Sequence, residues 1–256
     1  MDPETPELAV LTVTRSPGEA LDRFLDSVKA AASRPLRVLV VDTGSTDGAP
    51  ERAAERDGVD LLRIGEDVGR AAAANRGIAE LGQAVSWVAV ADPHVEWGDG
   101  ALDELLAAAA RRPRAGALGP SVRAADGKRL PSAWHLPATR PGLALLDMLR
   151  GRAPSPAGDG EGPVGWLSGS CLMLRRAAWE SVDGFDPRYG ACADDVDLGD
   201  RLARAGWLCV HVSSAEVVLT SAAPSPGTPA GWRRYLADRH PAPVQAALRA
   251  ASWLHR

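Results

Sequence analysis

Three groups of acidic residues stand where apolar runs give way to turn-forming residues. Asp42 closes the run RVLVV and opens Thr43-Gly44-Ser45-Thr46-Asp47-Gly48. Asp92 closes VSWVAVA and is followed by Pro93 and His94. Asp194, Asp195 and Asp197 share the first turn of an amphipathic helical pattern. In open α/β sheets ligands bind beyond the carboxyl ends of the strands. Asp42 and Asp92 would therefore set two carboxylates along one sheet edge. A lone Asp in such a place serves equally well as the cap of the next helix, but the repetition of the arrangement favours a binding site. A carboxylate there can accept a hydrogen bond from a nucleotide. Asp92 and His94, two residues apart, offer the oxygen and imidazole donors that suit Mn²⁺ or Mg²⁺ beside a diphosphate, although a His in a tight turn is more often a plain surface residue. Arg70 follows Gly69 at the start of a helix, where a guanidinium and a helix N-terminus together favour phosphate; a solvated arginine is the alternative. In the third group, neighbouring carboxylates raise one another's proton affinity, so one of them can take a proton from an attacking hydroxyl. Complementing the helix dipole is their other use.

The elements that must hold these residues alternate in type. Apolar strands are expected at residues 8–13, 37–41, 59–64 and 85–91. Helical patterns lie between them, at about 21–28, 49–56 and 70–81. Ser16, Pro17 and Glu19 resemble the N-cap, first and third positions of the first helix, and Asp99 resembles the cap of a helix bearing Leu102, Leu105 and Leu106. Asp126-Gly127 between Val122 and Leu130 predicts a hairpin with a two-residue turn. This β-α-β-α-β order argues for an open, mainly parallel sheet with helices on both faces. Residues 137–163 are rich in Pro and Gly around one short apolar helix near 143–149. Order returns at 164–174, followed by a short helix at 177–182, a helix at 194–205 and strands at 207–212 and 216–219. The expected organisation is one domain over residues 1–220, a linker at 221–231 and a C-terminal appendage of short helices at 232–256.

Composition narrows the function. The 256 residues are 45% hydrophobic and 24% charged, enough apolar material to build a core without disulfides. A net charge of −4 and the lack of a basic stripe argue against nucleic acid as a partner. Cys171, Cys192 and Cys209 form no CxxC pair, so they read as thiols in a reducing compartment. The acidic start MDPETPELAV is unlike a signal peptide, and no run approaches the ~18 apolar residues of a membrane span. A cytoplasmic protein is expected, with peripheral contact at the inner membrane face left open by the apolar and basic residues of the last helix.

Four segments in order resemble the family 2 glycosyltransferases. VVDTGSTDGAPE is similar to their nucleotide loop, GEDVGRAAAANRGI to their second donor stretch and VADPHVEW to their metal segment. The stretch from GWLSGSCLMLRRAAWE to YGACADDVDLGDRLARAGW is similar to their acceptor-side block. Bacterial rhamnosyltransferases and galactofuranosyltransferases of cell-wall polysaccharide assembly share this pattern. The resemblance implies a GT-A fold, a divalent metal and transfer with inversion. The sugar, rhamnose-like by this resemblance, would pass from a dTDP- or UDP-sugar donor to a saccharide or polyprenyl-linked acceptor. It implies that Thr14 and Asp42 meet the base and ribose with Ser45 also on the donor side, that Arg70 lies near the diphosphate, and that Asp92 and His94 meet the ribose and the metal. Asp195 would be the base with Asp194 beside it, and Trp166 and Gly169 would line the acceptor side. Two departures stand out. The family places a His after the last core strand, whereas Glu216-Val217-Val218-Leu219-Thr220-Ser221 has none, and small residues rather than aromatic ones precede Asp194. They motivate an alternative, a GT-A-fold nucleotide-binding scaffold with weakened catalysis.

Overall fold

The computed structural model describes residues 7–136, 155–189, 193–221, 234–235 and 238–239. The expected helix near 143–149, most of the 221–231 linker and the last helix lie outside them. Strand β1 (Glu7–Thr14) pairs in parallel with β2 (Arg37–Asp42) on one side and with β4 (Val85–Ala91) on the other. Strand β3 (Val59–Arg63) extends the parallel edge beyond β2. The sheet continues from β4 through β11 (Cys171–Arg175), β6 (Ala115–Ala124) and β12 (Leu208–Leu219) to the short β5 (Val95–Trp97). Of these, β11 and β5 run antiparallel to their neighbours. The expected mainly parallel open sheet is therefore present. Because β11 is reversed, its beginning meets the end of β4, with Cys171 opposite Ala91. Residues 168–170 thus reach the same edge as Asp92.

Strand alternation sorts the core onto two faces. Val10 and Val40 join helices α1 (Ala20–Ala31), α2 (Ala49–Ala54) and α4 (Ala101–Arg111) in one apolar layer. Leu11, Leu39 and Val41 join helices α3 (Arg70–Glu80), α5 (Arg176–Glu180) and α6 (Asp194–Arg204) in the other. Helix α3 lies so close to the sheet that a Cβ on Gly77 would stand 2.5 Å from Leu11 Cδ1 and 2.6 Å from Val41 Cγ2. Neither neighbour is at the free end of a surface chain, so Gly77→Ala should cost about 1–3 kcal/mol despite its better helix propensity. A urea titration should show a lower midpoint at unchanged slope.

Local signals misplace several ends. Glu19, not Ser16, precedes α1. Ser16 has φ of 51° and its hydroxyl instead accepts the Thr46 N–H at 3.1 Å, tying the β1 and β2 loops together. Gly100, in the left-handed region, precedes α4, so Asp99 does not cap it. The hairpin between β6 and β7 (Arg129–Leu130) exists with Val122 opposite Leu130, but Ala124 N–H bonds to Lys128 O. Its loop is therefore three residues long, ending in Gly127 at φ of 83°. The two strands expected at 207–212 and 216–219 form the single strand β12, whose register shifts between Val212 and Glu216.

Candidate functional site

The carboxyl ends of β1, β2 and β4 carry the first part of the site. Asp42 is buried at the end of β2, and its Oδ1 accepts the Ser45 N–H at 3.0 Å. Thr43 bonds to the Thr14 carbonyl through both its N–H, at 3.0 Å, and its hydroxyl, at 2.9 Å. Thr14 itself is buried with its hydroxyl unpartnered among the described residues. Ser45 Oγ accepts the Ser16 N–H at 2.8 Å. Thr14, Asp42 and Ser45 are therefore brought together, and Asp42 does serve its own turn as well as facing the edge. Arg15 and Asp67 form an ion pair that joins the β1 loop to the turn before α3.

At the end of β4, Asp92 N–H bonds to Ser170 O at 2.8 Å. Asp92 Oδ1 accepts the His94 N–H at 2.9 Å and lies 2.8 Å from His94 Nδ1. That contact engages neither His94 Nε2 nor Asp92 Oδ2, and the two side chains are 40% and 42% exposed. One carboxylate oxygen and one imidazole nitrogen fit Mn²⁺ or Mg²⁺ chemically. Among the described residues no third His, Cys, Asp or Glu joins them. Where a His would complete the set, Thr220 donates both its N–H and its hydroxyl to His94 O, each at 2.9 Å. Thr220 thus fixes the backbone of the loop. The ion's remaining ligands would have to come from the donor and water.

The acceptor-side block brings in the third acidic group and divides it. Ala193, held at φ of 72°, turns the chain into α6 so that Asp194 and Asp195 begin the helix. Asp194 is buried and pairs with Arg70 at 2.6 Å. Arg70 also donates to Gly169 O and lies over the Phe185 ring. A Cβ on Gly169 would meet that guanidinium at 3.1–3.3 Å, so a side chain there would make Arg70 shift by a few tenths of an ångström. Asp195 is held from both sides: Oδ2 accepts the Gly169 N–H at 3.1 Å and Oδ1 accepts the Val196 N–H at 2.8 Å. Burial, then the neighbouring Asp194 charge, pushes the Asp195 carboxyl up to about 6. Asp197 faces away from both, into Arg201 and Arg239.

Arg70 is therefore a partner of the acidic pair in this structure, 124 residues away in sequence, rather than a cation standing alone at the helix start. Asn75 reinforces the same junction. Its side chain exchanges two hydrogen bonds with the Phe185 backbone, at 2.7 and 2.9 Å. Trp166 does not present its ring to a cleft. It is 1% exposed and stacked on Trp134 with centroids 4.2 Å apart, and it lies against Gly199, which makes it the backing of α6. Trp134, Tyr189 and Tyr235 complete that backing and were not singled out from the sequence.

The sequence profile of Glycosyl transferase family 2 matches residues 9–182. The chain belongs to that family. The glycosyltransferase also matches the profile of Glycosyl transferase family group 2 over residues 146–240. It is 46% identical over 272 aligned residues to an N-acetylglucosaminyl-diphospho-decaprenol L-rhamnosyltransferase of Mycobacterium tuberculosis, covering 96% of this chain and 89% of that protein. An O-antigen biosynthesis protein of Myxococcus xanthus is 32% identical over 46% of this chain and 9% of its own length. In fold, the glycosyltransferase is similar to GalNAc-T7, solved with UDP, GalNAc and Mn²⁺. The TM-score is 0.67 at 16% identity, over 88% of this chain and 47% of that one. It is also similar to the mannosyltransferase PcManGT of Pyrobaculum calidifontis, solved with GDP-Man and Mn²⁺. There the TM-score is 0.63 at 22% identity, over 99% and 71% of the two chains. The GT-A fold expected from the sequence is thereby established.

Proposed function

We propose that this glycosyltransferase moves a rhamnosyl group, with inversion, from a nucleoside-diphosphate donor to a saccharide carried on a polyprenyl diphosphate. The observation that carries the reading is one junction at the sheet edge. Residues 168–170 touch the Asp92 loop through Ser170 and the acidic pair through Gly169, which sets a donor side against a base. Thr14, Asp42 and Ser45 bind the nucleoside, with Thr14 fixing the loop beside them through its carbonyl, which accepts both Thr43 bonds. Asp195, ionised above about pH 6, takes the proton of the acceptor hydroxyl as its oxygen bonds to the anomeric carbon. The bond from that carbon to the diphosphate breaks on the opposite face, and the nucleoside diphosphate leaves. Arg70 holds Asp194 and Gly169 so that Asp195 keeps its orientation. A divalent ion held by Asp92 and His94 would supply charge neutralisation of the leaving diphosphate. The name of the mycobacterial relative supports the sugar and the lipid-linked acceptor. No helix among the described residues is long and apolar enough to cross a membrane.

The test is turnover of dTDP-rhamnose and UDP-sugars with N-acetylglucosaminyl diphosphate on a short synthetic polyprenyl chain, with and without Mn²⁺. Release of nucleoside diphosphate that depends on both substrates is the expected result. His94→Ala should lower kcat by about 10- to 100-fold and raise the Mn²⁺ concentration needed, as loss of a ligand or its orienting partner does. Binding of dTDP without turnover of any donor would instead support the nucleotide-binding scaffold suggested by the two-ligand metal site.

A further inference from the structure

We infer that the chain segment carrying Tyr235 and Arg239 positions α6 for the acceptor reaction, and that Arg239 is its main contact. The inference rests on the reading of Asp195 as the base. Asp197, at the end of the first turn of α6, and Asp200, three residues on, lie on the buried side of the helix, 1% and 4% exposed. Each has a partner four residues on: Arg201 at 2.7 Å and Arg204 at 3.1 Å. Arg239 joins both from the far end of the chain. Its Nη2 donates to Asp197 Oδ1 at 2.6 Å and its Nε donates to Asp200 Oδ2. The Arg239 side chain is only 15% exposed. One planar guanidinium spanning two carboxylates three residues apart fixes both the rotation and the axial position of the helix, which a flexible ammonium cannot do.

The same segment also closes the wall beside the base. Tyr235 is 4% exposed and clusters with Trp134, Trp166, Tyr189, Ala193 and Val196. Ala193 and Val196 bracket Asp194 and Asp195 in the chain. Helix α6 rests directly on this wall, since a Cβ on Gly199 would stand 2.6 Å from Trp166 Cβ. The Arg239 guanidinium covers the Tyr235 ring at 5.2 Å. Tyr189 donates its hydroxyl proton to Asp238 at 3.0 Å, and Arg234 lies over the Tyr189 ring. The acceptor side is thus built from two distant parts of the sequence, and α6 is held at its start by Arg70 and along its length by Arg239. Arg239 touches no reacting atom in this scheme. It is a positioning residue.

The test uses the full chain with Arg239→Met, Arg239→Lys and the double variant Asp200→Asn/Arg239→Met. The double variant removes a buried charge together with its partner, so it folds where Arg239→Met alone leaves two carboxylates short of a counter-charge. With the polyprenyl-linked probe above, Arg239→Met or the double variant should lose about 30- to 100-fold in kcat/KM for the acceptor, the scale of an ångström-sized misplacement. The KM for donor and the Kd for dTDP should stay within about twofold, because the nucleoside loops lie elsewhere on the sheet edge. Arg239→Lys should fall between wild type and Arg239→Met, keeping charge without the fork. A double variant with wild-type acceptor kinetics per folded molecule overturns the proposal. So does an equal weakening of dTDP binding, which marks general damage. If the wild type itself fails to turn over, or Asp195→Asn is fully active, the underlying reading of the site fails instead.

Discussion

Asp195→Asn should abolish turnover while making the protein more stable at neutral pH. The two effects come from one cause. Asp195 is a carboxylate held largely away from water beside Asp194, and its carboxyl is pushed up to about 6 from 3.8. The folded protein then binds this proton more tightly than the unfolded chain. Between about pH 4 and 6 the folded state carries more protons, so stability falls as pH rises through that window and the deficit persists above it. The shift of roughly two units corresponds to an upper bound of about 3 kcal/mol. An amide cannot ionise, but it replaces one of the two oxygens that accept the Gly169 and Val196 N–H groups, at a cost of about 1 kcal/mol. The variant should therefore gain about 1–2 kcal/mol at pH 7.5 and lose up to about 1 kcal/mol at pH 4. Urea titrations at the two pH values read this directly. Loss of a general base should lower kcat by about 10³-fold or more, with dTDP binding intact. In the wild type, kcat/KM should fall tenfold per unit of pH below about 6. A variant with normal turnover would show that Asp195 is not the base, and the same stability difference at both pH values would show that its carboxyl is not raised in the folded protein.

The parts of this site that local sequence reveals are those whose geometry is local. Asp42 and Asp92 end buried parallel strands, and a continuous apolar run that stops at a turn marks such an end with no knowledge of the partner strands. The helices carrying Arg70 and Asp194 were visible by the same logic, from apolar spacing and Gly stops. Chain ends and caps were less legible. Ser16 and Asp99 have cap chemistry, but Ser16 is recruited across the sheet edge to Thr46, and Gly100 supplies the left-handed turn that starts α4. Tertiary contacts were illegible in detail. Nothing beside Arg70 in the sequence names Asp194, and nothing near Arg239 names Asp197. One signal was available: Asp197 and Asp200 fall three residues apart among Val196, Gly199 and Leu202, on a helix with a buried side. Two carboxylates there require cations, and Arg201 alone leaves Asp197 Oδ1, the oxygen that Arg239 meets, to be satisfied.

Arg70→Met is expected to be the most damaging single change outside the base, and its effect separates two readings of Arg70. In the structure its guanidinium binds Asp194, whose side chain is 5% exposed, and the Gly169 carbonyl. Removing it leaves a buried carboxylate without its counter-charge, which costs about 3 kcal/mol or more. It also frees the segment whose Gly169 N–H orients Asp195, so kcat should fall about 100-fold. Asp194→Asn in the same background removes the stranded charge. The double variant should therefore regain most of the stability, giving a coupling energy of about 2–3 kcal/mol. Its acid limb should move below that of the wild type. The Asp194 charge raises the Asp195 carboxyl more than the Arg70 charge lowers it, and the double variant lacks both. Activity should stay low, because Gly169 still lacks its clamp. The sequence alone suggested a different role, with Arg70 at the donor diphosphate. On that reading Arg70→Met raises the donor KM and the dTDP Kd together, by the same factor with or without Asp194→Asn, and the stability cycle shows no coupling. Measuring dTDP affinity and urea stability across the four members of the cycle decides between an arginine that holds the base and one that holds the leaving group.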